Sequence, residues 1–440
     1  MSIQETYYQQ QNKFLFSNSK LFGNLRKDLL KKFELSSKDN KNNESLKHLD
    51  RNILKFSYKY NNESNKINFI NHDENKINID ITDGKISQVE NQHKETLHIN
   101  NIDSKDTSVE DRFLDFQKLF NEDYVVHLNS LMLNSGYELI VNENKDANIF
   151  LTNDISEKDL TIFQKNLISC GKNSKVKIIE EYVSDKPSNN NVVNFLDIHE
   201  GAEVIHLIFQ KNIEKANFQS TSYANCHKNT CYKQLTLNIS KGSVRNHHYA
   251  NLLGQNSSVS LDGIFFASAN QIIDNKTEIN HNCPNSTSRQ RYKGILTDHA
   301  RASYLSKTYV DKIAQKTEAY QLSKGILLSD DSSFHSRPEL RIFADDVKCS
   351  HGSTIGPIDK DLLFYLRSRG LSKKNSLSLL IKSFFHKIIS DVHDKSFVEA
   401  LEYGMPPACG FGVSERFFSF LMNRPIRECV IFPLMKPKKQ

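Results

Sequence analysis

From Lys175 to Asp346 the chain shows hardly a convincing helical period and runs instead through short alternating segments. Glu138–Val141, Ala147–Leu151, Lys175–Tyr182, Asn191–Ile198, Glu203–Phe209, Gln234–Ile239 and Ser258–Phe266 each read as strands bounded by Gly, Asn, Asp or Ser turns. A cadence of polar turn, small residue and strand recurs at Gly201-Ala202-Glu203-Val204, Gly242-Ser243-Val244 and Ser332-Ser333-Phe334. Short strands repeated without helices between them form a sandwich, a barrel or a coiled solenoid, and spacing alone does not choose among these.

Helical periods frame this region. Phe14, Phe16, Leu21, Phe22, Leu25, Leu29, Leu30 and Phe33 predict one or two amphipathic helices, and Phe113, Phe116, Leu119 and Phe120 another. Past Ile358 the period returns with Leu362, Leu363 and Leu366, then Leu377, Leu380, Ile381, Phe384, Phe385, Ile388 and Ile389. Two Asn/Lys/Asp-rich stretches, Asn42 to Asn65 and Asn71 to Asn101, read as long surface connections with some short strands between them.

Composition narrows the function classes. Lys+Arg 58 against Asp+Glu 52 leaves +6 over 440 residues, too weak and too dispersed to mark a nucleic-acid partner. No apolar run approaches the ~18 residues of a membrane span. Residues Met1 to Phe14 carry no apolar leader, so no secretory signal is expected. Seven scattered cysteines do not make a disulfide framework, which fits a reducing, cytoplasm-like compartment and leaves a plastid-like organelle open. No Gly-x-x-x-x-Gly-Lys-Ser/Thr loop, Gly-x-Gly-x-x-Gly turn or Gly-x-Ser-x-Gly elbow is present.

The best chemical pair is Cys349-Ser350-His351, after the strand-like run Leu340 to Ala344. On an extended chain, residues i and i+2 project from one face, which sets a thiol beside an imidazole. Both are good ligands for iron or zinc, but two ligands cannot close a site, so a second surface must supply the rest. The plainer reading is a small buried Cys and a hydrogen-bonded His. Cys226-His227 with Cys231 matches no zinc spacing and reads as incidental surface. His247 and His248 face opposite sides of a strand; His281 and Cys283 are broken by Pro284 into a turn. Asp345-Asp346 also reads as a turn, and Gln290, Tyr292, Lys293 and Arg301 as a hydrogen-bonded solenoid surface.

Between Asp274 and Gly370 many motifs fall in order: Ser288-Arg289-Gln290-Arg291-Tyr292-Lys293-Gly294, Asp298-His299-Ala300-Arg301-Ala302, Ala314-Gln315-Lys316-Thr317, Arg337-Pro338-Glu339-Leu340, Ala344-Asp345-Asp346-Val347-Lys348-Cys349-Ser350-His351-Gly352 and Leu363-Phe364-Tyr365-Leu366-Arg367-Ser368-Arg369-Gly370. This stretch closely resembles the SufB/SufD family of iron–sulfur cluster assembly scaffolds, on its SufD side. The resemblance implies a mainly β fold: a right-handed parallel β-helix core at 136–356, an N-terminal helical and irregular region at 1–135, and a C-terminal helical region at 357–392. It implies a non-catalytic scaffold that pairs with a SufB-like paralogue through the β-helices and binds the SufC ATPase. By the same resemblance, Cys349 and His351 are transient metal ligands at the SufB–SufD interface, where an iron–sulfur cluster forms. Leu363, Phe364, Tyr365, Leu366, Arg367, Arg369 and Gly370 would meet SufC, with ATP entering only through SufC and a flavin left open. Asn275 and His335 depart from the family pattern without touching Cys349 or His351.

Residues 393–440 are different. Ser396 to Pro407, with Gly410-Phe411-Gly412, Glu415-Arg416 and Arg427 to Pro433, resemble motif 3 of class II aminoacyl-tRNA synthetases of the lysyl and aspartyl type. The resemblance implies that Arg416 contacts ATP and that Glu402 and Gly404 line an amino-acid pocket. No motif 1 or motif 2 accompanies it, so aminoacylation is not expected; a fusion, a decayed remnant and a misjoined sequence all fit. Two other readings stand beside the scaffold: a β-helix enzyme of lyase or acyltransferase type using His351 or Lys293, and an ATP- or tRNA-related binding role for the tail.

Overall fold

A computed structural model of the chain describes residues 3–38, 67–70, 76–91, 94–103, 107–120, 123–183, 186–211 and 216–391. The alternating segments coil into a parallel β-solenoid of about 7 turns, with small helical regions at the ends. One sheet runs β1 (Asn68–Ile70), β3 (Lys85–Glu90), β2 (Ile77–Thr82), β6 (Asp146–Asp154), β8 (Lys175–Tyr182), β10 (Glu203–Gln210), β12 (Cys231–Asn238), β14 (Ser258–Ala267), β16 (Thr287–Leu296), β18 (Thr317–Leu327) and β20 (Val347–Pro357). The other runs from β4 (Leu97–Asn101) through β5 (Tyr137–Val141), β7 (Leu160–Cys170), β9 (Ser188–Ile198), β11 (Asn217–Cys226), β13 (Val244–Leu252), β15 (Ile272–His281) and β17 (Arg301–Val310) to β19 (Ser333–Ile342). From β5 onward consecutive strands alternate between the sheets, so each coil contributes one strand to each; before that, β1, β2 and β3 share the first sheet, and β4 pairs antiparallel with β5 in the second. This resolves the open choice among sandwich, barrel and solenoid.

The inward faces meet in a core built from β2, β3, β4, β5 and the early coils, including Ile79, Ile86, Leu97, Ile149, Ile178, Ile198 and Leu252. The stretch from Asn71 to Asn101 is thus no mere surface connection. Ile77, Ile79 and Ile81 alternate into the core, and β2 pairs with β6 in parallel. Its Asn and Lys content masks a period of two. Residues 39–66, which hold all of the other Asn-rich stretch, lie outside the described residues.

The N-terminal helical expectation resolves into α1 (Ile3–Gln10), α2 (Lys20–Lys38), α3 (Thr107–Gln117) and α4 (Tyr124–Met132). Asp123 caps α4 by accepting from the amides of Val125 and Val126 at 3.0 and 3.3 Å, satisfying donors that a helix start leaves open. Phe16, Phe22, Val109, Phe113 and Val126 pack with Leu167, Val193 and Phe195 of β7 and β9, so these helices cover the outer face of one sheet.

The chain divides into two compact units at Ile358 and Asp359. In the second, α5 (Lys360–Ser368) and α6 (Lys373–Ser390) form a helical hairpin. Asp359 caps α5 and Ser372 caps α6, and Gly370 turns the chain between them at φ +89°, a conformation that favours glycine. Phe385 and Ile388 of α6 are buried, whereas Leu362, Phe364 and Tyr365 of α5 are 50%, 72% and 43% exposed.

Candidate functional site at the last coil

β20 is the outermost strand of its sheet and, among the described residues, pairs only with β18; β19 is outermost in the other. Burial falls off at this end: β9 and β11 are buried almost throughout, while most positions of β19 and β20 are partly or fully exposed. An open strand edge of this kind offers unpaired backbone groups to another chain.

Parallel pairing without slippage stacks equivalent positions of successive coils into columns, and two interior columns end on the predicted pair. The first runs Ala147, Val176, Val204, Tyr232, Val259, Ser288, Ala319 and Cys349. The second runs Ile149, Ile178, His206, Gln234, Leu261, Gln290, Gln321 and His351. Cys349 therefore ends a mostly apolar column, packing with Val347 against Val310, Ala314 and Ala344. Burial pushes its thiol up from the ordinary range, and a hydrogen bond from the Ala319 backbone opposes this. His351, on the same face, is exposed.

The second column carries His206, Gln234, Gln290 and Gln321 inside the solenoid because neighbouring side chains and carbonyls outside the column satisfy them. Gln321 Nε2 donates to Thr308 Oγ1 at 2.8 Å and to the Glu339 carbonyl at 3.1 Å, while its Oε1 accepts from Ser306 at 3.0 Å. Gln290 Nε2 donates to the same Thr308 oxygen at 2.8 Å. Deeper in, His206 lies 3.1 Å from Glu180 and 3.3 Å from Tyr232, whose hydroxyl donates to Gln234 at 2.8 Å. Ser222 and Thr236 hold the two ring nitrogens of His248 at 2.7 and 3.2 Å. Buried polar groups persist only when hydrogen-bonded in this way.

Several sequence readings are revised by this register. Gln290 and Tyr292 lie inside the solenoid, not on its surface, and Tyr292 stacks on Tyr304 at 4.2 Å between ring centroids. Lys293 is buried as well, and Arg301 is exposed. His247 and His248 do face opposite sides of β13, yet both are buried: His247 reaches Asp274 at 3.1 Å under α4, and His248 faces the lumen. Cys226 is interior, and His281 ends β15 while Cys283 falls in the following bend. Asp345 and Asp346 form a bend. His227 is not incidental: its Nε2 sits 2.9 Å from Asp197, beside His199. The spacing of 28 residues, one coil, was the missed signal. Glu402, Gly404 and Arg416 lie outside the described residues.

A family model described as "SUF system FeS cluster assembly, SufBD core domain" matches residues 150–384, more than half of the chain. The chain belongs to the SufBD family. It is similar to an iron–sulfur cluster assembly SufBD family protein of Synechocystis sp., 30% identical over 238 residues, covering 51% of this chain and 52% of that one. The iron–sulfur cluster assembly protein SufD of Escherichia coli is 33% identical over 155 residues, 35% of this chain and 37% of the relative. A chloroplastic protein of Arabidopsis thaliana, ABCI7, is 26% identical over 219 residues, covering 49% and 46%. The chain thus spans about half, or less, of the length of these curated relatives. A second family model, for class II tRNA synthetases of the D, K and N types, matches residues 368–436, overlapping α6 and the tail. Among the described residues no helix is long and apolar enough to cross a membrane.

Proposed function

We propose that this SufD-like iron–sulfur cluster assembly protein is a non-catalytic scaffold subunit that works in a complex with a SufB-like paralogue and a SufC-like ATPase. The observation that carries the reading is the placement of Cys349 and His351 on one face of the outermost strand, β20, with Cys349 partly buried and His351 exposed. A thiolate and an imidazole there leave a coordination sphere half filled, and a partner strand along the open edge would bring further ligands. The nascent cluster is the cargo of this site and not a resident group. We place the protein in a reducing, cytoplasm-like compartment, in keeping with the five free cysteines among the described residues.

The exposed apolar side chains of α5, Phe364 above all, are the surface offered to the ATPase. ATP acts through that subunit.

The experiment is co-expression of the full chain with SufB-like and SufC-like partners, followed by purification and cluster reconstitution. Cys349→Ala/His351→Ala should leave the complex assembled while lowering cluster formation; normal cluster formation by the double variant would remove the site from the reading. Phe364→Asp should release the ATPase and keep the SufB-like partner. The synthetase-like tail is tested separately: ATP binding by the chain alone, lost in Arg416→Ala, would give that segment a role of its own.

A further inference from the structure

The one cluster of three metal-ligating side chains among the described residues lies away from β20, at a corner of the earlier coils. Asp197 is the penultimate residue of β9, His199 follows that strand, and His227 follows β11. Coil pairing fixes their alignment: the His199 amide donates to the Cys170 carbonyl at 3.0 Å and the His227 amide to the Ile198 carbonyl at 3.1 Å. The two imidazoles are therefore stacked one coil apart, 5.5 Å between centroids and 7° between planes.

Both rings turn Nε2 toward one carboxylate. His227 Nε2 is 2.9 Å from Asp197 Oδ1, and His199 Nε2 is 3.6 Å from Asp197 Oδ2 and 3.3 Å from Ser169 Oγ. The three ligand atoms lie within 4.8 Å of one another. Four-coordinate zinc with nitrogen ligands at its usual bond length needs separations of about 3.3 Å. Closing that gap requires the stacked rings to tilt toward each other about χ2, a broad torsion in histidine. Side-chain exposure of 38% for His199 and 41% for His227 leaves room for the tilt and for water in the remaining positions.

The later coils of Asp197's own column show what the position would be without this chemistry. Asn225, Asn251 and Asn280 follow Asp197 along the same sheet, and they form an amide ladder, Asn280 donating to Asn251 at 2.9 Å and Asn251 to Asn225 at 3.4 Å. Amides both donate and accept, so such a ladder satisfies itself. At Asp197 it changes to a carboxylate, which only accepts, beside the stacked imidazoles of His199 and His227.

We propose that Asp197, His199 and His227 form a binding site for a divalent first-row transition-metal ion. Two imidazoles and one carboxylate with open positions suit zinc or ferrous iron and disfavour magnesium, which prefers oxygen ligands throughout. On binding, each histidine presents an unprotonated Nε2 and keeps its proton on Nδ1; no electron transfer is involved. The site is independent of the proposed role of Cys349 and His351.

The test uses the full chain carrying Cys349→Ala/His351→Ala, freed of metal with a chelator and titrated with Zn²⁺ by calorimetry. Relative to this parent, His199→Gln/His227→Gln should bind one Zn²⁺ fewer per chain, and Asp197→Asn should weaken the same event at least tenfold; Mg²⁺ should give no heat at this site. Co²⁺ in the parent should show weak visible bands without thiolate charge transfer, and these should vanish in the variants. Glutamine and asparagine keep hydrogen-bonding capacity, and circular dichroism checks that each variant is folded. Should the double variant not fold, the Co²⁺ spectrum of Asp197→Asn decides alone. Unchanged Zn²⁺ stoichiometry and affinity in the folded variants, or a Co²⁺ spectrum dominated by thiolate, overturns the proposal.

Discussion

Ala319 stands directly across the strand pair from Cys349, and it is fully buried where Cys349 is half-buried. The thiol ends an apolar column and is held protonated by that burial, with the backbone of Ala319 partly offsetting it. Iodoacetamide should therefore alkylate Cys349 more slowly than a free cysteine at neutral pH, with the rate climbing as pH rises, because the thiolate is the nucleophile. Cys170, pushed up to about 12 by burial, and Cys226, pushed higher still, should stay unmodified in the folded chain. Peptide mapping after timed alkylation checks this; labelling of Cys349 at the free-cysteine rate would contradict its buried setting.

A second prediction concerns the tie between α4 and the solenoid. Arg245 of β13 donates to Asp123 Oδ2 at 2.6 Å, a contact spanning 122 residues of sequence. Burial opposes the charge on Asp123, but Arg245 and His247 outweigh it and hold the carboxyl well below its usual range. Arg245→Met leaves that carboxylate buried and short of its cation, and should destabilise the chain by about 3 kcal/mol. Adding Asp123→Asn should return part of the loss. Denaturant unfolding of the single and double variants measures both.

Acid should weaken the solenoid well before its carboxylates titrate. Burial, with His206 and His247 nearby, lowers His248 to about 3, and burial lowers His281 to about 3. In the unfolded chain a histidine titrates near 6.5, so the unfolded state takes up the protons first. The stability from keeping these rings neutral is complete above about pH 6.5 and is lost as pH falls from there toward 3, at about 2 kcal/mol per histidine by pH 5. Unfolding free energies at pH 7.5, 6 and 5 should fall accordingly. His248→Asn/His281→Asn should flatten that slope.

Gly294 lies opposite Phe265 on the neighbouring strand, and a Cβ there would collide with the Phe265 ring. That ring is itself fixed edge-on against Phe334 at 5.3 Å. Gly294→Ala should cost about 2 kcal/mol through overpacking, and Phe265→Leu in the same chain should relieve part of it. Thermal unfolding of the two variants decides whether steric room explains the glycine.

The sequence by itself determined the strand-rich region, the helical segments on either side, and the side-by-side placement of Cys349 and His351. Each of these is local: alternation along an extended chain sets which side chains share a face, and a period of three to four marks a helix. It determined family membership through ordered motifs, above all Ala344 to Gly352. The strand pattern alone left sandwich, barrel and solenoid open, because pairing partners lie a full coil apart and no local pattern announces them; the family resemblance implied the coil, and the tertiary structure has it. The same reason hid the fate of Gln290 and Tyr292, which look like surface polar residues until their columns show them inside. It also hid Asp197, His199 and His227: two residues apart along a strand is legible, but 28 residues apart becomes contact only once successive coils stack in register.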